Sequence, residues 1–336
     1  MVLSHYDIGV IEHLRNFPRG SRRSPKMRIK TGKGEYLLKR RAPGLDDPYR
    51  VAFAHELQLH LARRNFAVPG LLGTRGDNNS MLQFNGRVYE LFNYIHGTRY
   101  ERATAQANLA GAALGTMHRH MRDFMPQFDP PQGTFHAVNV EMKMLSVPPA
   151  ILALEPHADS AAVKGGAEYL TRACKEAARR VDALGFRQWP RTILHGDWHP
   201  GNLLYRDGRI VAVFDFDSVL VEPHAAHVAK ALLQFAMQTD KPEDPSTWPE
   251  GFDPQLMNAI LRGYDDAAGQ RLSPDERRSL PWLMIEAMVM ETVVPLAATG
   301  SFARIPGSVF LGMVERKVRW IETHAETLDR DGGPPR

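Results

Sequence analysis

Residues 195–202 read His-Gly-Asp-Trp-His-Pro-Gly-Asn, and residues 213–217 read Val-Phe-Asp-Phe-Asp. Asp197 stands five residues before Asn202, and Asp215 follows at the end of a second apolar run. A carboxylate, an amide and a second carboxylate at this spacing suit phosphoryl transfer. A hydroxyl nucleophile needs one carboxylate to orient it and accept its proton, while Mg2+, a hard ion, needs oxygen ligands that hold it against a triphosphate. Both aspartates lie in apolar surroundings, ILHGDW and VAVFDF, where a buried charge is costly without a partner, and a metal is one such partner. Turn capping is the plainer alternative for both, and for Asn202 after Pro200-Gly201.

These side chains need strands and turns to carry them. Residues 27–31, 35–41, 71–75, 80–84 and 87–95 read as short strands, with tight-turn signals at Gly32-Lys33-Gly34 and Asn85-Gly86 that favour antiparallel pairing. Between them, residues 49–65 place Val51, Ala54, Leu57 and Leu61 on one helical face, after the helix-start signal Asp46-Asp47-Pro48. From Thr104 helical periodicity takes over, with Ala110, Ala113, Leu114, Met117 and Met121 on one stripe. A loop at 125–133 and a helix at 161–184 lead to two strand-like runs at 191–197 and 208–217. Helices are expected at 225–237, 254–268, 274–298 and 308–328, with a loop at 239–251.

The run ILHGDWHPGNLLYRDGRIVAVFDFD resembles the HGDxHPGN and IDF or IDW pattern of the aminoglycoside phosphotransferase and choline kinase superfamily, and a looser resemblance spans residues 26–237. It implies an α+β, protein-kinase-like two-lobed fold, with an antiparallel-sheet N-lobe carrying one helix and a mostly helical C-lobe. The division expected is a nucleotide-binding lobe at 1–97, a helical lobe at 98–330 with catalytic loop 195–202 and metal-site hairpin 203–217, and a tail at 331–336. By resemblance, Asp197 is the catalytic base, and Asn202 and Asp215 are Mg2+ ligands. Lys39 would hold the α- and β-phosphates of ATP, Glu56 on the following helix would be its ion-pair partner, and backbone at 91–95 would bond adenine. Alternation puts Lys39 on the same strand face as Leu37.

Departures from the pattern matter too. Residues 16–26, NFPRGSRRSPK, stand in place of a glycine-rich phosphate loop but hold one glycine. Charge on Arg19, Arg22, Arg23 and Lys26, and backbone at Gly20 and Ser21, would take over the grip on phosphate. Asp217 stands where protein kinases have glycine, and is open between helping the metal and bonding nearby backbone. His195 reads as a brace for the loop, and Trp198 and His199 as packing residues. A helix begins about ten residues after Asp215, too soon for a long activation segment. His224 and His227 stand where relatives often carry an aspartate.

The rest of the chain narrows the function. Its 336 residues are 43% hydrophobic and 24% charged, which favours two packed cores and excludes a disordered chain. The net charge of +4 is too small to nominate nucleic acid, yet residues 1–64 hold fourteen basic and six acidic side chains, so they carry +8 against -4 beyond. That asymmetry suits a nucleotide. Cys174 is the one cysteine, so no intrachain disulfide forms, and a cytoplasmic setting fits. Asp7 and Glu12 interrupt the N-terminal apolar residues, unlike a signal peptide, and Pro281, Glu286, Glu291 and Pro295 make 280–298 a buried helix rather than a membrane span. The expected activity is transfer of the ATP γ-phosphate to a hydroxyl of a small molecule. Glu222, Asp265, Glu286 and Glu291 are candidate selectors for a cationic acceptor, weighed against ordinary helix-surface acids. Three alternatives stand beside it. They are a bacterial-type protein Ser/Thr kinase of the same fold, a metallophosphoesterase suggested by Asp197-x-His199, and a non-catalytic nucleotide-binding module.

Overall fold

The computed structural model describes residues 1–17, 23–131, 133–241 and 243–331. In chain order the strands are β1 (Ile11–Phe17), β2 (Lys26–Thr31), β3 (Gly34–Arg40), β4 (Leu82–Phe84), β5 (Arg87–Asn93), β6 (Arg191–Leu194), β7 (Leu203–Arg206), β8 (Arg209–Val213) and β9 (Leu220–Pro223), before a short pair at 301–306. The helices are α1 (Pro48–Arg63), α2 (Thr104–Met121), α3 (Glu141–Met144), α4 (Val147–Leu154), α5 (Ser160–Ala183), α6 (His224–Ala236), α7 (Pro254–Ala267), α8 (Pro274–Thr299) and α9 (Gly307–Asp331). They divide into two compact units. The first is Met1–Tyr100, Arg119–Gln132 and His195–Leu220; the second is Glu101–His118, Gly133–Leu194 and Val221–Arg336.

In the first unit an antiparallel sheet runs in the order β1-β2-β3-β5-β4. Gly32-Lys33 closes the β2-β3 hairpin, and Asn85-Gly86 closes β4-β5 with φ of 50° and 67°, the left-handed pair that a type I′ turn requires. Alternation then sorts the faces. Ile29, Tyr36, Leu82 and Leu91 gather with Tyr6 and Ile8 on one side, whereas Val88 meets Val51 of α1 on the other. Asp47 caps α1 by accepting from Arg50 N, Pro48 opens its first turn, and the stripe Val51, Ala54, Leu57 and Leu61 is buried as the spacing predicts.

Two local expectations are corrected. Residues 71–75 do not form a strand: Leu71 makes one bridge to Phe92, and the Thr74 hydroxyl, bonded by Asn79 N, ties 74–79 into a capped turn. Conversely, Ile11–Phe17 pairs with β2 as an edge strand, and its side chains are exposed on both faces, so no alternation marks it in the sequence. The loop 195–202 and the hairpin β7-β8 cluster with the sheet of the first unit, rather than with the helices to which residues 98–330 were expected to belong. Of the expected tail, residues 332–336 lie outside the described residues.

The second unit is helical, with α4, α5, α6 and α9 packed on α8. A capping box of Ser273 and Glu276 starts α8, and Gly300 at φ 67° ends it. By length and hydropathy α8 could cross a membrane, but Leu283, Met284, Ile285, Val289, Val293 and Leu296 are buried inside the unit, so it is a core helix. Helix α6 starts nine residues after Asp215, leaving the stretch between them short.

Candidate active site

The site grows from the middle of the sheet. In β3, Lys39 lies opposite Lys26 of β2 and Glu90 of β5, while its neighbour Leu38 packs into the core on the other face. Lys39 is therefore buried, and its ammonium needs acids. It has three. Nζ donates to both oxygens of Asp217 at 2.7 Å and to Asp215 Oδ1 at 3.0 Å, and Glu90 Oε2 is 4.0 Å away. Burial alone would lower the lysine pKa, but Glu90, Asp215 and Asp217 outweigh it and hold the amine protonated above its ordinary value.

The two aspartates sit on one turn after β8. Asp215 adopts φ 71° and ψ 62°, left-handed backbone that a non-glycine residue keeps only when its surroundings impose it. Burial pushes its carboxyl up, yet Lys39 and then Lys26 overcome that and keep it ionised below the usual range. Asp217 is the opposite case: burial, only partly offset by Lys39 and Arg41, raises it. Lys39 and Arg41 face the carboxylates of Glu90, Asp215 and Asp217, and Lys26 adds a further positive charge toward Asp215.

Asp197 is held by the loop that precedes β7. Its Oδ2 accepts from Asn202 Nδ2 at 3.1 Å, and the same amide nitrogen donates to Asp197 O at 2.9 Å. His195, wholly buried, is pulled below the ordinary histidine pKa by burial and is neutral. Its Nε2 donates to Phe214 O at 3.1 Å, so Nδ1 accepts from Asp197 N at 3.3 Å. Thus His195 ties the loop to the residue before Asp215, the brace its setting suggested. Trp198 is buried against it, as expected of a packing residue, whereas His199 Nε2 lies 3.4 Å from Asp197 Oδ2 and its Nδ1 accepts from Gly201 N. Gly196 makes the loop possible: at φ +78°, a Cβ there would come within 1.9 Å of Ser218 O.

The donor set fits magnesium. Asn202 donates through its amide nitrogen to Asp197, which leaves the amide oxygen, the atom a hard cation takes, and its backbone carbonyl accepts from Phe214 N, the residue before Asp215. Among the described residues no group of three or more His, Cys, Asp or Glu side chains is arranged to hold a metal. A magnesium ion here would take its remaining ligands from phosphates and water.

Other expected residues are placed differently. Glu56 does not meet Lys39; both its oxygens accept from Gln127 N, at 2.9 and 3.0 Å. Its neighbour His55 faces β5 instead, with Nε2 2.6 Å from Glu90 Oε1. The acid near Lys39 on the sheet is Glu90, which the strand register aligns with it. Gly20, Ser21 and Arg22, and Arg19 with them, lie outside the described residues. Part of the backbone expected to bond adenine is engaged within the sheet: Leu72 N donates to Leu91 O, Asn93 N to Gly70 O and Tyr94 N to Glu35 O. Of the expected adenine edge at 91–95, these three backbone groups are therefore already bonded.

The second unit holds the remaining candidates. Glu222 and Glu286 are buried rather than on a helix surface. Glu222 accepts from Phe135 N at 3.2 Å, and Glu286 accepts from Ala137 N at 2.8 Å and pairs with His136. Asp265 pairs with Arg277, and Glu291 accepts from Gln234 and lies 3.6 Å from Lys230. His227 Nδ1 meets His118 Nε2 at 2.9 Å, and His224 stacks on the same His118 ring, so both histidines of α6 are occupied with α2.

Comparison with known proteins agrees with this chemistry. The model of the phosphotransferase enzyme family, APH, matches residues 13–279. A homoserine kinase of Granulibacter bethesdensis is 24% identical over 282 residues, covering 84% of this chain and 79% of the relative. The structure of a microcompartment-associated aminopropanol kinase superposes with a TM-score of 0.71 at 15% identity, over 99% of this chain and 97% of that one. Amicoumacin kinase hAmiN, solved in complex with AMP-PNP, Ca2+ and Ami, gives a TM-score of 0.65 at 12% identity, over 95% of this chain and 90% of that one. The fold is accordingly protein-kinase-like, an antiparallel sheet with one helix in the first unit and mostly helix in the second.

Proposed function

Because the chain belongs to the phosphotransferase enzyme family, we propose that Asp197, Asn202, Asp215 and Lys39 carry out an ATP-dependent transfer to an amine-bearing small alcohol. The enzyme class itself follows from the family and its relatives: this is an ATP-dependent phosphotransferase with an alcohol group as acceptor. The observation that carries the assignment of residues is the convergence, in one compact unit, of a protonated buried lysine, two aspartates on one strained turn, and an Asp-Asn pair on one loop.

In this reading Asp197 orients the acceptor hydroxyl and accepts its proton as the oxygen attacks the γ-phosphorus. A new P–O bond forms, the bond to the β-phosphate oxygen breaks, and ADP leaves with that electron pair. Asn202 fixes Asp197 through its amide nitrogen, and its oxygen and the Asp215 carboxylate would hold Mg2+. Bound Mg2+ supplies neutralisation of charge on the phosphates. Lys39 exchanges Asp215 for phosphate oxygens when nucleotide arrives, which a lysine shared among several acids can do without losing every partner. Arg22 and the backbone of Gly20 and Ser21 would add to the phosphate grip.

For the acceptor, the support is the likeness to a homoserine kinase and to an aminopropanol kinase, whose named acceptors are each a small hydroxyl compound bearing an amine. Homoserine is therefore the first acceptor to test, with amino alcohols and an aminoglycoside beside it and a cytoplasmic setting assumed. Coupled detection of ADP across this panel and sugars without an amine tests the reading; activity confined to those sugars would refute the acceptor class.

A further inference from the structure

Arg41, two residues after Lys39, is among the most deeply buried charges of the described residues, at 1% exposure. Its guanidinium faces two elements at once. Nε and NH2 donate to the two oxygens of Glu90 on β5, at 2.8 and 2.7 Å, a fork-to-fork pair. NH1 lies 2.9 Å from Asp217 Oδ1 on the turn that carries Asp215, an ion pair without hydrogen-bond alignment. Glu90, itself wholly buried, also meets His55 Nε2 of α1, whose Nδ1 meets Ser80 Oγ at 2.8 Å. Asp217 is gripped again through its backbone, where its carbonyl accepts from Arg50 NH2 at 3.0 Å. The turn is thus tied to β5 through a single planar side chain and to α1 through another.

We propose that Arg41, seated on Glu90, is a positioning residue for the phosphoryl transfer: it fixes Asp217, and through Asp217 sets the ammonium of Lys39 against the turn of Asp215. This rests on the assignment of Lys39 and Asp215 to nucleotide and metal. The chemistry explains why an arginine is used. Only a guanidinium offers donors in a rigid fork that satisfies both Glu90 oxygens while a third nitrogen reaches a second carboxylate. The arrangement also assigns work to the aspartate standing where a glycine is usual, and to a strand glutamate where a helix glutamate was expected. Neither Arg41 nor Glu90 touches the reacting atoms; both act through Lys39 and Asp217.

The test uses the whole chain, with Arg41→Lys and Glu90→Gln as separate variants and Asp217→Asn as a third route to the same link. The readouts are thermal stability, Kd for ATP by calorimetry with and without Mg2+, and KM for ATP and for the acceptor. Loss of the fork should raise Kd and KM for ATP and lower kcat, roughly 10–100-fold as for other residues that orient functional groups, while KM for the acceptor moves less than about twofold. A folded Arg41→Lys or Glu90→Gln protein with wild-type Kd and KM for ATP would overturn the inference. So would a variant in which both KM values rise together in step with lost stability. If Arg41→Lys and Glu90→Gln do not fold, Asp217→Asn decides alone by the same criteria. Absence of transfer by the unmodified chain would instead refute the proposed function, and the calorimetric arm still reads the role of Arg41 in that event.

Discussion

Lys39 and Asp217 meet through a forked contact, with the ammonium 2.7 Å from each carboxylate oxygen, closer than Lys39 comes to Asp215. In the proposed site Asp217 would therefore serve the lysine and Arg41 rather than the metal. Asp217→Asn should raise KM for ATP about tenfold, the scale of one lost charged hydrogen bond, while the Mg2+ requirement stays within about twofold. Asp215→Asn should shift the Mg2+ requirement itself. A Mg2+ titration of both variants checks the distinction, and equal shifts would make Asp217 a ligand after all.

Glu56 bonds the backbone of Gln127, on a different side of α1 from the Glu90 cluster. Glu56→Gln should leave KM for ATP within about twofold, because no phosphate-binding group loses a partner. Arg41→Met, in contrast, strands Glu90 with a buried charge and should cost about 3–5 kcal/mol of stability. Denaturant unfolding of the two variants compares them directly, and similar losses would contradict the assignment of burial and pairing.

The difference between Glu56 and Glu90 shows what was legible in the sequence. Asp197, Asn202 and Asp215 stand out by their spacing, a local property, and Lys39 by the resemblance, with strand alternation in agreement. Pairing is not local. Glu90 lies opposite Lys39 because β3 and β5 pair in one register, and 51 residues separate them in the chain. On α1, a rotation of one residue decides that His55 and not Glu56 faces the sheet, which helix periodicity alone does not resolve. The edge strand β1 escaped because both its faces are solvated, and 71–75 misled because apolar residues in a capped turn mimic a strand.

Gly196→Ala should damage the loop that holds Asp197. The left-handed backbone costs about 1–3 kcal/mol for a residue with Cβ, before the contact of 1.9 Å with Ser218 O is relieved. Reduced melting temperature together with a large loss of kcat is expected. An alanine variant with wild-type kcat would show that the loop has room that its geometry denies.

In the second unit, His136 sits 2.9 Å from Glu286 Oε1 and 3.4 Å from Asp182 Oδ1. Burial lowers its pKa, but Glu286 and then Asp182 outweigh burial and raise it above the ordinary histidine value. A histidine with a higher pKa folded than unfolded contributes its full stability below the unfolded value of about 6.5 and loses it as pH rises through the folded value. The stability difference between wild type and His136→Gln should therefore be largest at acidic pH and shrink as pH rises through the folded pKa, above the ordinary histidine value. Melting curves across that range check the sign; a difference that grows with pH would contradict it.

Cys174 is buried, and burial, with a further push from Glu286, moves its thiol pKa up to about 12. The thiolate is the reactive form, so the native chain should resist a disulfide reagent at neutral pH and react once unfolded. Stoichiometric labelling of the folded protein within minutes would show that Cys174 is reached by solvent.

The central claim concerns Asp197 and the fate of the γ-phosphate. The direct measurement is transfer from γ-labelled ATP, with Mg2+ present, to homoserine and the other small alcohols, comparing wild type with Asp197→Asn. Label is expected on a small hydroxyl compound, with a loss of about 10²–10⁴-fold in kcat for the variant and ATP still bound. Label on protein, or transfer to a small alcohol that survives Asp197→Asn undiminished, would contradict it.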